Sequence, residues 1–105
     1  MGRITFAIYR PKPGKEKQLL QLVAEHLPIL KTQNLITDRE PIVMQAKNNC
    51  VIEVFEWKSR ESIDQAHTNT EVQKLWARFG EVCDFETPTN IEEFSSMFPE
   101  FESIN

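Results

Sequence analysis

The stretch Cys50 to Phe79, CVIEVFEWKSRESIDQAHTNTEVQKLWARF, runs a strand straight into a helix, and the rest of the chain has to be arranged around it. Val51, Ile52, Val54, Phe55 and Trp57 are β-branched, aliphatic or aromatic, with Glu53 and Glu56 the only charges among them. Neither face of this strand is plainly polar, so both are expected to be covered. Ser59 is a natural N-cap, because its hydroxyl can accept from an unpaired amide of the first turn, and Glu61 sets negative charge at the positive end of the helix dipole. Ile63, Ala66 and His67 share one face of the new helix. The run HTNT at 67–70 is poor helix material, and Thr70 with Gln73 forms a second capping box, so a kink or break is expected there. Val72, Leu75, Trp76 and Phe79 then restore an apolar stripe at i, i+3, i+4 and i+7, and Gly80 is placed to end the helix in a left-handed conformation.

Ahead of this stretch, Ile4 to Arg10 alternates as a first strand, which Pro11, Pro13 and Gly14 stop. Lys15 to about Thr32 reads as a helix with the stripe Leu19, Leu20, Val23, Ala24, Leu27 and Leu30. Pro28 lacks an amide hydrogen and clashes with the carbonyl of Ala24, so the helix is expected to kink or end near Leu27. Asn34 suits a left-handed cap. Leu35–Thr37 and Ile42–Ala46 read as one interrupted strand, which Pro41 assigns to a sheet edge or a bulge. Lys47-Asn48-Asn49-Cys50 supplies a hairpin turn into Cys50–Trp57. Behind it, Glu81–Thr87 is a fourth strand ended by Pro88, and Asn90 can cap a short helix over Ile91–Met97. Residues 1–88 thus form the domain, and 89–105 a C-terminal helix and tail packing on it, with Phe98 and Phe101 in need of a partner surface.

A chain of 105 residues suits one domain that buries about 65% of its unfolded surface, and 40% hydrophobic residues exclude wholesale disorder. The net charge of −4 comes without a basic stripe, which argues against nucleic acid or an anionic membrane as partner. No apolar run approaches the ~20 residues of a membrane span, and MGRITFAIYR is too short and too quickly polar for a signal peptide. A cytoplasmic location is expected, with Cys50 and Cys83 reduced and buried.

The order β-α-β-β-α-β is the ferredoxin-like α+β plan, an antiparallel sheet with both helices on one face. The other face, to which Tyr9 is assigned together with residues alternating along Cys50–Trp57, would be open to water in a single copy. An open apolar face of this kind marks a partner site, and a second copy related by two-fold symmetry is the simplest partner.

Particular residues now carry a family likeness. Tyr9-Arg10-Pro11-Lys12-Pro13-Gly14-Lys15 opens the first helix, Asn34-Leu35-Ile36-Thr37-Asp38-Arg39 enters the second strand, and Glu56-Trp57-Lys58-Ser59 makes the strand-helix junction. Together with His67 ahead of the capped half-helix ending Leu75-Trp76, these resemble the dimeric α+β-barrel superfamily, and within it the antibiotic-biosynthesis-monooxygenase-like proteins, over residues 3–88. The resemblance implies a homodimer whose two open sheet faces meet, with a pocket in each protomer between sheet and helices. It also implies activities such as cofactor-independent oxygenation of polycyclic aromatics, haem degradation or turnover of small signalling molecules. The haem-degrading branch carries an asparagine on the first strand and a tryptophan and a histidine ten residues apart on the second helix. Here Ala7, His67 and Ala77 stand at those places, so haem degradation is not expected and no cofactor is invoked.

His67 sits on the core face at the helix break, where an imidazole can take a substrate proton near neutral pH, and Asp64, three residues earlier, could orient its ring. The plainer reading makes His67 a buried histidine bonded to backbone and Asp64 a solvated carboxylate. Tyr9, Trp57 and Trp76 could line an aromatic pocket that stacks a flat ligand, or serve core and dimer-face packing. Arg10 can hold an anionic group or be solvated. His26, beside Pro28 and off the stripe, is expected to be exposed. No metal-ligand spacing, nucleophile elbow, phosphate loop or dinucleotide glycine pattern occurs. Two functions stay open: a small cofactor-independent monooxygenase-like enzyme on an aromatic or conjugated substrate, with His67 as base and Trp76 shaping the cavity, or a non-catalytic ligand-binding or protein-interaction module of the same fold.

Overall fold

In the computed structural model, which describes residues 1–105, β1 (Arg3–Pro11) leads into α1 (Glu16–Thr32), and β2 (Ile42–Gln45) and β3 (Val51–Trp57) form a hairpin. Two helices, α2 (Arg60–Ala66) and α3 (Thr70–Val82), carry the chain back to β4 (Cys83–Phe85). Two 3-10 turns, Pro88–Asn90 and Glu92–Ser95, precede a short last strand, β5 (Glu102–Ser103). Every pairing is antiparallel, and the strands lie in the order β4-β1-β3-β2-β5. This is the ferredoxin-like arrangement with β5 added beside β2. The sheet is open, with β4 and β5 at its edges, so one chain makes no closed barrel.

Local chemistry accounts for most boundaries. Gly14 takes φ +77° in the turn after β1, and Asn34 takes φ 61° after α1, both in the left-handed region that glycine and asparagine tolerate. Pro28 does not end α1, which runs on to Thr32. Pro28 and Ala24 both lie on the exposed side, so the carbonyl that loses its donor is left to solvent, while Leu27 and Leu30 stay buried. Ser59 caps α2 by accepting from the Ser62 amide. Asn69 rather than Thr70 caps α3, accepting from the Val72 amide. Gly80 does not stop α3 either. Val82 continues the buried stripe of Val72, Leu75 and Phe79 for one more residue pair, and that burial outweighs a lone glycine.

The remaining differences concern pairing. Leu35–Thr37 contributes a single bridge, Ile36 to Trp57, rather than half a strand. The outer side of β2 is occupied by β5, so the strand that Pro41 precedes is not the sheet's edge. The fourth strand keeps only residues 83–85, and the expected helix over 91–97 is replaced by the two 3-10 turns, between which Ile91 is buried.

The β1–β3 register pairs Thr5 with Phe55, Ala7 with Glu53 and Tyr9 with Val51. Because side chains alternate across a strand, these residues share one face. Helices cover it: Tyr9 and Val51 pack with Leu19, Leu22, Val23, Leu75 and Phe79, while Phe55 and Trp57 pack with Leu27, Leu30, Ala66 and Val72. Tyr9 therefore lies on the covered side, not on the open one. Alternation shows which residues share a face, but both faces of β1 are apolar and it cannot show which one the helices take.

The open side carries Ile4, Phe6 and Ile8 of β1 with Ile52 and Val54 of β3. The segment after β4 folds back over part of it. Ile91 is buried with Ile8, Ala46, Cys50 and Ile52, and Phe94 lies edge-on to Phe6 with ring centres 6.2 Å apart. Ile4, Phe6 and Ile42 remain half exposed, and Phe98 is 84% exposed. Cys50 and Cys83 are both free and buried. No helix is long and apolar enough to cross a membrane.

Candidate functional site

The register that seats Ala7 beside Glu53 also creates room. Thr5 and Ala7 are small residues on a face otherwise built from Tyr9, Phe55 and Trp57, and the space above them is a cavity of about 250 Å³. Tyr9, Trp57 and Phe55 form its walls from the sheet, Trp76 from α3, Phe85 from β4 and His26 from α1. Tyr9 is held by stacking on Phe79, with ring centres 4.9 Å apart.

Three buried polar side chains converge at one end of it. Glu53 Oε1 accepts from the Tyr9 hydroxyl at 2.8 Å and lies 2.7 Å from His26 Nδ1. On the other side of the imidazole, the Trp76 indole Nε1 donates to His26 Nε2 at 3.3 Å. An indole nitrogen only donates, so Nε2 is an acceptor here and Nδ1 carries the proton that goes to Glu53. His26 is 3% exposed and Glu53 1%, and the edges of the imidazole and of Phe55 and Phe79 close the surroundings. Burial, followed by the charge of the neighbouring Glu53, raises the Tyr9 phenol well above its ordinary value, so it stays protonated and donating.

A carboxylate on Nδ1 fixes both the tautomer and the orientation of the ring and stabilises the imidazolium that forms when Nε2 takes a proton. The basic position of this cluster is therefore Nε2, which the indole now occupies. Its present partner, Trp76, is partly exposed, so less packing opposes its displacement than that of the fully buried groups around His26.

His67 and Asp64 lie outside this arrangement. His67 is exposed at the C-terminal end of α2, with its Nδ1 on the Ile63 carbonyl at 2.9 Å, and its ring stands 5.4 Å from that of Trp76 without reaching the cavity wall. Asp64 does not orient it: its carboxylate is 3.9 Å from Arg60, both side chains being two-thirds exposed. Arg10 is paired with Glu86 at 2.7 Å, and that bond, with a second from Asn90, holds the Glu86 carboxyl below the usual range. No three His, Cys, Asp and Glu side chains come together as a metal site.

His26 and Glu53 are the residues the sequence reading missed, and both had a signal. Leu19, Leu22, Val23, His26, Leu27 and Leu30 follow helical spacing more closely than the stripe drawn through Leu20 and Ala24, and they place His26 inside the buried face. Glu53 shares its parity with Val51, Phe55 and Trp57, and a carboxylate on such a face requires a buried partner.

No protein-family model matches the chain, and no curated protein matches it. A crystal structure of a conserved protein from Methanosarcina mazei Go1 is similar, with a TM-score of 0.60 and 21% sequence identity over 79% of this chain and 82% of that one. At that identity the likeness concerns the fold alone.

Proposed function

We propose that this protein binds a small, flat, conjugated organic molecule in the aromatic cavity and takes a proton from it through His26 Nε2. The observation that carries this reading is the buried pair Glu53–His26 at the wall of the 250 Å³ space, with the basic Nε2 of the oriented ring held by the Trp76 indole, the group a ligand would displace. A satisfied structural histidine needs no cavity next to its acceptor nitrogen. The volume lies just below the ~300–1,000 Å³ usual for drug-sized ligands, which favours one or two rings over larger systems.

The resemblance to antibiotic-biosynthesis-monooxygenase-like proteins extends the reading to a cofactor-independent monooxygenase, with His26 rather than His67 as base. Proton removal from an activated CH₂ leaves a carbanion that supplies the electrons to O₂. One oxygen atom ends as the new carbonyl and the other as water. On this reading Tyr9, Trp57 and Trp76 hold the ring system. Homodimerisation through the open sheet face, as in that superfamily, is supported by the half-exposed Ile4, Phe6 and Ile42, and the free buried cysteines suit the cytoplasm.

The same exposed side chains support the second reading, a non-catalytic ligand-binding or protein-interaction module. The test is titration with a panel of one- and two-ring phenols and activated CH₂ ketones, followed by tryptophan fluorescence, then by oxygen uptake. Binding in wild type and at least about tenfold weaker binding in His26→Leu is expected, since a lost charge-assisted hydrogen bond is of that order. Binding without oxygen uptake selects the module, and binding indifferent to His26→Leu overturns the site.

A further inference from the structure

Glu53 also borders a second cavity, of about 290 Å³, between α1 and the β2–β5 edge. It shares no wall residue with the first: Leu20, Val23 and Leu27 come from α1, Val43 from β2 and Ile104 from the chain after β5. Glu53 is the one charged side chain in this apolar wall.

Its two oxygens are unequal. Oε1 takes both protein donors, Tyr9 and His26, while Oε2 has no hydrogen-bond partner. No sealed side-chain oxygen or nitrogen in this protein lacks a partner, so Oε2 is not sealed, and the opening that Glu53 borders is this cavity. Its charge is also unmatched. The indole bond to Nε2 makes His26 a neutral donor, and neither lysine nor arginine pairs with Glu53. A carboxylate that is 1% exposed with no cation beside it is costly unless a partner arrives.

We propose that this second cavity binds a primary alkylammonium, with its head on Glu53 Oε2 and its chain along Leu20, Val23, Leu27 and Val43. One free carboxylate oxygen suits the compact three-donor ammonium. A guanidinium fork needs two oxygens, and a quaternary ammonium has no proton to give. Leu20 and Ile104, 39% and 41% exposed, stand at the mouth, so the far end of the chain reaches solvent and its length is tolerated. The site is independent of whether the first cavity is catalytic.

The experiment is calorimetric titration of the full chain with n-hexylammonium, n-hexanol and n-hexyltrimethylammonium. One saturable hexylammonium per chain is expected, bound at least about tenfold more tightly than either analogue, because a charge-assisted bond is roughly twice a neutral one. Ala24 lies on the cavity wall at the exposed side of α1, so Ala24→Phe fills the mouth without entering the core and abolishes binding. Thr5→Phe, which fills the first cavity, leaves it in place. Glu53→Gln removes the preference for the ammonium over the alcohol; should that variant not fold, the analogues and Ala24→Phe decide alone. Equal binding of hexanol, binding that survives Ala24→Phe, binding lost in Thr5→Phe, or no saturable binding at millimolar hexylammonium would each overturn the proposal.

Discussion

The two histidines of this chain both lie against the Trp76 ring and differ in nearly everything else. Around His67 the groups are local: its acceptor is a carbonyl of its own helix, and the carboxylate three residues away points to Arg60. Around His26 they are distant: α1 supplies the imidazole, β3 a carboxylate separated by 27 residues, β1 the phenol and α3 the indole. A helix break satisfies itself from within. Only convergence from four elements holds an imidazole away from water at a cavity wall, with one nitrogen on a carboxylate and the other on an indole.

The sharpest test removes the hub of each region. Glu53→Ala leaves the Tyr9 hydroxyl and the His26 Nδ1–H buried without their acceptor, at about 1–3 kcal/mol each, and should lower stability by about 2–5 kcal/mol in urea denaturation. Asp64→Ala should stay within about 0.5 kcal/mol, as exposed substitutions do. Equal effects would erase the contrast. Next, His26→Leu leaves Glu53 and the Trp76 indole each short of a bond and should cost about 1–3 kcal/mol, against less than about 1 kcal/mol for His67→Leu.

Alkaline titration sharpens the comparison without mutation, since Tyr9 is the chain's sole tyrosine. Its phenol is raised, first by burial and then by Glu53, so its contribution to stability is complete below the ordinary value near pH 10 and is lost as the pH rises through the folded-state value. Phenolate absorbance should therefore appear together with loss of near-ultraviolet circular dichroism. Phenolate in a folded protein near pH 10 would mean the cluster is open to water.

The smallest effect is at acid pH. Glu93 is held below the usual carboxylate range, chiefly by the Lys47 amide, and Glu86 chiefly by Arg10. Depressed carboxyls contribute above their ordinary value near pH 4 and lose that contribution as the pH falls through the folded-state one. The Lys47 amide resonance should move only below about pH 4.

What was legible in the sequence follows the range of the interactions involved. The β-α-β-β-α-β order, the Ser59 cap and the left-handed Asn34 rest on neighbours within a few residues, and the fold expectation holds. The helical break at 67–69 was legible for the same reason, and it drew attention to His67. Which face of β1 the helices cover was not legible, because Ile4, Phe6 and Ile8 are as apolar as the side that is buried. His26 was hidden by a stripe drawn through Leu20 and Ala24, which are exposed, in place of Leu22 and His26 on the other flank of Leu19 and Val23. Glu53 stood in plain view as a charge on a strand of buried parity, and only tertiary packing names its partners.

The last strand, β5, and the two residues that follow it bear on how the protein behaves in a crowd. Ile104 donates its amide to Val43, and the Asn105 side chain bonds both the Val43 amide and the Pro41 carbonyl, so the rim of β2 is satisfied. Without that clasp, Ile42-Val43-Met44-Gln45 would be a bare, mostly hydrophobic template able to recruit another chain, strand on strand. A few terminal hydrogen bonds thus guard against self-templated aggregation, a hazard set by kinetics and concentration rather than by the free energy of folding.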